Sequence, residues 1–64
     1  MKVREVLKLL HEDGWQEVRR HGSHRILKHP TKAGMVVLAG NLGGDVPKGL
    51  LRTILKQAGL EDTL

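Results

Sequence analysis

The spacing of the turn-forming residues constrains the fold of this chain more than any other feature of its sequence. Glycine or proline divides the 64 residues into short pieces at Gly14, Gly22, 30–34, 40–44 and Gly59. Glycine adopts positive φ without steric cost and proline interrupts regular hydrogen bonding, so each position predicts a turn or the end of an element. The links in the middle of the chain are too short for the crossover that parallel strands require, so any strands there must be antiparallel.

The first and last pieces have the apolar periodicity of amphipathic helices. Between Met1 and Asp13 the apolar residues recur at intervals of three and four, and a second such pattern runs from Lys48 to Ala58. The two predicted stripes consist of Val3, Val6, Leu7 and Leu10 in the first helix and of Leu50, Leu51, Ile54, Leu55 and Ala58 in the second. Asp45 is the candidate N-cap of the second helix, and Pro47 suits its first turn.

The three middle pieces have the composition of strands. In Trp15–Arg20 the residues alternate with a period of two, which predicts a strand with one partly solvated face. His24–His29 predicts a second strand that ends at Pro30. Met35–Ala39 is continuously apolar and predicts a buried third strand. The expected fold is α+β, in the order α-β-β-β-α, with both helices on one face of a three-stranded antiparallel sheet and the other face free for a partner. This topology is that of the double-stranded-RNA-binding domain.

Length and charge narrow the class of protein further. The chain is expected to form a single domain of residues 1–64, in which residues 60–64 are a short tail. Lys and Arg total 11 against 7 Asp and Glu, and the net charge of +4 favours a polyanionic partner because each phosphate contact releases counterions. Trp15 is the only aromatic residue, so a nucleic-acid surface built from stacked aromatic rings is nearly excluded and the indole is expected in the core.

The sequence predicts neither a cofactor nor a membrane segment. There is no cysteine, and three of the four histidines lie between positions 18 and 44, a stretch without any acidic residue. This composition is unlike that of a zinc site. We therefore expect no metal. No apolar run approaches the ~18 residues of a membrane span, and no signal peptide is visible, so the expected location is the cytoplasm.

Three blocks of the sequence, in this order, resemble the HicA family of toxin ribonucleases. The first is Gly22-Ser23-His24, with Lys28-His29-Pro30-Thr31 one strand later, and the second is Asp45-Val46-Pro47-Lys48-Gly49. The third is 51–59, and the first helix ending in Gly14-Trp15 also fits. The likeness extends over residues 1–60, which is essentially the whole domain.

The resemblance implies a toxin that cleaves messenger RNA without a metal, using His24, the histidine after the Gly-Ser pair. It also implies a double-stranded-RNA-binding-like fold and an antitoxin partner of the HicB family that covers this site. Two positions depart from the family pattern, because many relatives carry histidine where this chain has Asn41 and threonine where it has Leu50. These departures count against a mechanism that uses a second histidine.

His24 is accordingly the candidate general acid–base for RNA cleavage. A base that removes the proton of the 2′-hydroxyl allows that oxygen to attack the adjacent phosphorus. An imidazole, with an unperturbed pKa of about 6.5, offers both protonation forms near neutrality. A strand start after a glycine turn would present the ring at a sheet edge near Arg25 and Lys28, whose charges would stabilise the phosphate. The expected RNA contacts are Gly22, Ser23, Arg25, Lys28, Lys48, Arg52 and Lys56.

Other roles stay open for the remaining histidines and for the chain. His21 is either a second proton carrier or a solvated turn residue, His29 is expected to be structural, and His11 suits the end of the first helix. The chain could instead be a non-catalytic RNA-binding module of the same fold, or a small basic protein that binds only an acidic protein partner.

Overall fold

The computed structural model describes residues 1–63, and its elements follow the expected order. They are α1 (Val3–Glu12), β1 (Gln16–His21), β2 (His24–Lys28), β3 (Val36–Ala39), α2 (Lys48–Gln57) and a short 3₁₀ helix (Glu61–Thr63). The strands form one antiparallel sheet in the order β1-β2-β3. The predicted α+β fold is therefore confirmed. Within the predicted tail, Leu60 packs against the core ahead of the 3₁₀ helix, while Leu64 lies outside the described residues.

The first helix forms where the periodicity predicts it. Its apolar stripe is completely covered, since the buried residues of α1 are Val3, Val6, Leu7 and Leu10. The Lys2 N–H donates to Oε1 of Glu5 at 2.7 Å, which satisfies a donor at the start of the helix. Gly14, at a φ of +105°, redirects the chain after α1 so that Trp15 enters the core and is only 1% exposed. The indole N–H donates to the carbonyl oxygen of Ala58 at 3.3 Å and so connects the ends of the two helices.

The second helix differs from the prediction in two details. Pro47 rather than Asp45 occupies the N-cap position, and its carbonyl oxygen accepts a hydrogen bond from the N–H of Leu51 at 2.8 Å. Asp45 instead pairs with Lys2, through a backbone bridge and a 3.2 Å contact between carboxylate and ammonium. Leu50 is 45% exposed because it lies on the side of the helix turned away from the sheet, whereas the rest of the predicted stripe is buried. Within residues 1–63 no helix is long and apolar enough to cross a membrane.

The apolar core lies between the two helices and one face of the sheet. Leu27 of β2 and Val36 and Leu38 of β3 are fully buried there. The prediction that the third strand is buried throughout is wrong, because Val37 is exposed and so is Met35 just before the strand. Alternate strand residues point to opposite faces, and the helices cover only one of them. The first strand is likewise exposed along its whole length, and not on one face as predicted, since it is an edge strand beyond the helices' apolar stripes.

Within residues 1–63 the other face of the sheet carries no helix, and it is termed the open face below. Its side chains, in rows across the sheet, are His21, His24 and Ala39, then Arg19, Ile26 and Val37, then Gln16 and Lys28. The alternate residues of β2, Arg25 and Leu27, point toward the helices and are buried. The register shifts between Glu17 and Arg19, where Val18 forms a bulge. The fold therefore leaves one complete sheet face available for a partner.

Candidate functional site

His24 is the first residue of the central strand and lies on the open face. The two-residue link Gly22–Ser23 connects β1 to β2, and Gly22 adopts a φ of +57° to make this turn. The N–H of Gly40 donates to the Ser23 carbonyl oxygen at 3.1 Å, which ties the turn to the end of β3. The side chain of His24 is exposed, while its backbone is paired with both neighbouring strands. The structure therefore exposes this imidazole to solvent on a fixed support.

His21 lies directly opposite His24 in the register of β1 and β2. Residues at directly opposite positions have Cβ atoms about 4.5–5.5 Å apart, so the two imidazoles are neighbours on the open face. Both residues are exposed. The sequence left the role of His21 open, although one signal pointed to this pairing. A strand–turn–strand pattern with a two-residue turn places residues three apart opposite each other.

Arg19 and Lys28 are the cationic side chains of the open face. Arg19 lies one row from the two histidines and opposite Ile26, so it is diagonal to His24. Lys28 shares the face of His24 but lies four residues further along the strand, roughly 13 Å away at the rise of an extended chain. Among the strand residues of this face there is no carboxylate. The nearer cation is thus Arg19, which was not among the expected RNA contacts.

Arg25 does not lie beside His24, contrary to the expectation from the sequence. Consecutive strand residues point to opposite faces, so Arg25 extends toward the helices and is only 5% exposed. Its Nε lies 3.2 Å from Oε1 of Glu17, and its Nη1 donates to the carbonyl oxygen of Gly40 at 3.1 Å. Arg25 thereby ties β1 and β2 to the loop after β3. It forms part of the framework behind His21 and His24, which are termed the histidine pair below.

A recess lined by arginine side chains opens at the same end of the sheet, and it is termed the turn recess. Its lining consists of Arg20, Gly22, Ser23, Arg25, Gly40, Asn41 and Leu42. Arg20 lies opposite Arg25 in the register, and its Nε donates to the Gly22 carbonyl oxygen at 3.0 Å. The terminal N–H groups of Arg20 and the hydroxyl of Ser23 are the types of donor that bind phosphate oxygens. Asn41 forms part of the wall.

The cationic residues of α2 lie in the helix layer, on the other side of the sheet from the open face. Lys48, Arg52 and Lys56 are exposed and spaced four residues apart along the helix. They line a groove whose other lining residues are Met1, Leu51, Leu55 and Glu61. The RNA contacts expected from the sequence are therefore divided between two sides of the molecule.

His29 directly follows β2, apart from His21 and His24, and organises the turn between β2 and β3. Its Nε2 lies 2.6 Å from the carbonyl oxygen of Asp13, and its Nδ1 accepts hydrogen bonds from the N–H groups of Thr31 and Lys32, each at 3.1 Å. The ring packs edge-on against Trp15, with 5.3 Å between centroids. Neither this cluster nor any other group within residues 1–63 brings together three or more histidine, cysteine or carboxylate side chains that could hold a metal ion.

Lys32 connects this turn to both helices, and sequence reasoning placed it only in the turn. Its ammonium donates to Oδ2 of Asp13 at 2.6 Å and to the carbonyl oxygen of Ala58 at 3.0 Å. The hydrogen bond from Lys32 lowers the pKa of the Asp13 carboxyl below its ordinary value of 3.8, and it outweighs the opposing effect of partial desolvation. The contact therefore joins the end of α1 to the end of α2, at the end of the sheet opposite to His21 and His24.

Comparison with known proteins identifies a family. The family model described as HicA toxin of bacterial toxin–antitoxin matches residues 3–60 of the 64-residue chain. No curated protein matches the sequence. The matched range contains both α-helices, all three strands, the histidine pair and the turn recess.

Proposed function

Since this chain belongs to the HicA toxin family of bacterial toxin–antitoxin systems, we propose that it is an endoribonuclease that cleaves messenger RNA with His24 as the general acid–base. The observation that carries the proposal is the position of His24, exposed on the uncovered sheet face directly after the Gly22–Ser23 turn. A toxin of such a system has an antitoxin partner, which we take to be a HicB-type protein that covers the open face. The toxin itself would act in the cytoplasm, where messenger RNA is translated.

The RNA supplies its own nucleophile in this reaction. His24 accepts the proton of a 2′-hydroxyl, the 2′-oxygen forms a bond to the adjacent phosphorus, and the bond from phosphorus to the 5′-oxygen breaks. The products are a 2′,3′-cyclic phosphate and a 5′-hydroxyl end once the leaving oxygen has gained a proton. A positioned histidine contributes about 10²–10⁴-fold to such a step. The chemistry uses neither a metal-bound water nor an organic cofactor.

The charges around His24 suit a phosphodiester. Arg19 lies diagonal to the ring on the same face, and a cation in this position stabilises the negative charge that develops on the phosphate oxygens. The turn recess adds Arg20 and the Ser23 hydroxyl beside the backbone that carries His24. Trp15, the only aromatic residue, is buried, so RNA would be held through its phosphates and not through stacked bases.

The cations of α2 would serve a different part of the RNA. The molecule measures 29 × 27 × 17 Å, and the sheet lies between α2 and the open face. An RNA chain bound at His24 would therefore have to pass around an edge of the sheet to reach Lys48, Arg52 and Lys56. We assign the open face and turn recess to the phosphates next to the scissile bond, and α2 to more distant phosphates.

The decisive experiment is cleavage of a defined RNA oligonucleotide by the purified chain. We expect the wild type to produce 2′,3′-cyclic phosphate ends and His24→Gln to lower the cleavage rate by about 10²–10⁴-fold. His11→Gln is the matched control, because this exposed histidine lies at the end of α1 and away from the open face. RNA binding and circular dichroism of all three proteins show whether a loss of cleavage is a loss of chemistry.

Each alternative function gives a different result in the same experiment. Cleavage that survives His24→Gln at the wild-type rate contradicts the catalytic assignment. Binding of RNA without cleavage by the wild type would indicate a non-catalytic RNA-binding module. Neither binding nor cleavage, together with a stable complex with an acidic protein, would indicate an interaction protein. For the antitoxin, a HicB-type protein should form a complex that blocks cleavage, and the complex should protect the open face from hydrogen exchange.

A further inference from the structure

The pair formed by His21 and His24 is the feature of the open face that a mechanism with one histidine does not use. Of the three β1–β2 pairs on this face, it is the only one in which both side chains are imidazoles. The two residues flank the two-residue Gly22–Ser23 turn, so their register is fixed by the hairpin itself. The second imidazole is therefore held beside the first by the backbone.

Both rings of the pair are available to a ligand. Within residues 1–63, His29 is the only histidine whose ring nitrogens have hydrogen-bond or ion-pair partners. His21 and His24 are exposed, and their Cβ atoms are about 4.5–5.5 Å apart by their opposite positions in the register. Two imidazoles at this separation can contact the two ester oxygens of one phosphodiester.

The groups that surround the pair are cationic or apolar. On the open face, β1 contributes Arg19 in the next row, and β3 contributes only Ala39 to the row of the histidines. On the other face of the same hairpin lie Arg20 and Arg25, and the one carboxylate there, Glu17, is paired with Arg25. A phosphate bound at His21 and His24 would therefore meet the positive charge of Arg19 on its own face and no unpaired carboxylate from the hairpin.

The departures at Asn41 and Leu50 argue against a second histidine at those positions, whereas His21 lies opposite His24. We infer that His21 is a second catalytic residue, which donates a proton to the leaving 5′-oxygen while His24 removes the proton of the attacking 2′-hydroxyl. The inference rests on the ribonuclease function proposed above. In the step, one proton moves from the 2′-hydroxyl to neutral His24 and one moves from protonated His21 to the 5′-oxygen. The bond from the 2′-oxygen to phosphorus forms as the bond from phosphorus to the 5′-oxygen breaks, and the total charge of the two rings does not change.

A substrate with sulfur in place of the bridging 5′-oxygen tests the role of His21 directly. A thiolate leaves without a proton because a thiol is far more acidic than an alcohol, so cleavage of this substrate needs the base but not the acid. We expect His21→Gln to slow cleavage of the oxygen substrate by about 10²–10⁴-fold and to leave cleavage of the sulfur substrate nearly unchanged. His24→Gln should slow both substrates, and the control His11→Gln should slow neither.

The outcomes separate this inference from the proposed function. If His24→Gln abolishes cleavage but His21→Gln has no effect, or slows both substrates equally, the assignment of His21 is overturned and the proposed function stands. If the wild type cleaves neither substrate, both fail. Because His21 is exposed, His21→Gln should retain the wild-type melting temperature, and a second variant, His21→Ala, should show the same dependence on the leaving atom.

The pH dependence of cleavage provides a second readout that a merely structural residue would not change. A reaction with one neutral base and one protonated acid has a bell-shaped pH–rate profile. Removing the acid should abolish the decrease on the alkaline side, so the His21→Gln profile should rise to a plateau. A bell-shaped profile that persists in His21→Gln would place the acid elsewhere and overturn the inference.

Discussion

Arg25 shows how one buried side chain supports the histidine pair from behind the sheet. We predict that Arg25→Ala lowers the free energy of unfolding by about 1–3 kcal/mol, because the Gly40 carbonyl loses its donor and Glu17 loses its cation. Urea denaturation, with every protein made in the His24→Gln background, measures this change. The matched control is Arg19→Ala on the open face, for which we expect a change within about 0.5 kcal/mol. Equal losses for the two arginines would contradict the framework role.

At the residue scale, some of the site could be predicted from the sequence, and the rest depended on which face each side chain occupies. The Gly22–Ser23 turn and the exposed His24 were expected, and the turn has the predicted positive φ at Gly22. Arg25 was expected beside His24 because the two are adjacent in sequence, but adjacency in a strand means opposite faces. Arg19 was not expected beside His24, although the two-residue turn that pairs His21 with His24 also pairs Arg19 with Ile26 and so places Arg19 on the open face.

At the scale of elements, the contact between Lys32 and Asp13 joins the two helices and makes their packing depend on pH. Asp13 has a lowered pKa in the folded chain, so its contribution to stability is present above its ordinary pKa of 3.8 and is lost as the pH falls through the lower, folded value. We predict that Asp13→Asn lowers the melting temperature at neutral pH. The difference from the wild type should shrink in acid, below about pH 4.

A matched control separates this contact from the general effect of removing a carboxylate. Glu12 is the exposed last residue of α1, next to Asp13 in sequence. Thermal melting of Glu12→Gln across the same pH range should follow the wild type. A constant difference between Asp13→Asn and the wild type down to the most acidic pH would show that the ion pair is not its cause.

The helices were predictable as elements because their apolar periodicity is set within each segment. Both end within a few residues of the predicted boundaries, and only Leu50 was misplaced in the stripe. The burial of strands was less predictable, since it depends on what packs above them. Met35 and Val37 are apolar yet exposed because both helices lie on the opposite face, and no local signal in the third strand reveals this.

At the scale of the whole molecule, basic residues occupy two surfaces separated by the sheet and its helix layer. We predict that replacing Arg19 and Lys28 by Gln reduces the salt dependence of binding to a short RNA, by about 0.7 in slope for each phosphate that is no longer neutralised. The triple replacement of Lys48, Arg52 and Lys56 by Gln should affect binding of the short RNA less and binding of a long RNA more. Titrations at several salt concentrations measure the slopes, and the reverse ranking on the short RNA would place the scissile phosphate nearer to α2.

The overall architecture could be predicted from the sequence because few arrangements of these elements bury every apolar face with such short links. Two amphipathic helices and three strands joined by short links can bury their apolar faces in one two-layer packing, and the structure adopts it. The separation of the cations could not be read from the sequence in the same way. Whether α2 and the start of β2 meet or lie on opposite sides is decided by long-range packing, which the spacing of charges along the chain does not encode.

The open face also bears on how such a protein can evolve. Its histidines and Arg19 contribute little to the packed interior, so substitutions there can alter recognition while the fold keeps nearly all of its stability. An RNA and a protein inhibitor that bind the same sheet face would contact the same few side chains, so these residues would set the preference for both. A lineage of such domains can therefore diverge in both preferences together, without acquiring a new scaffold.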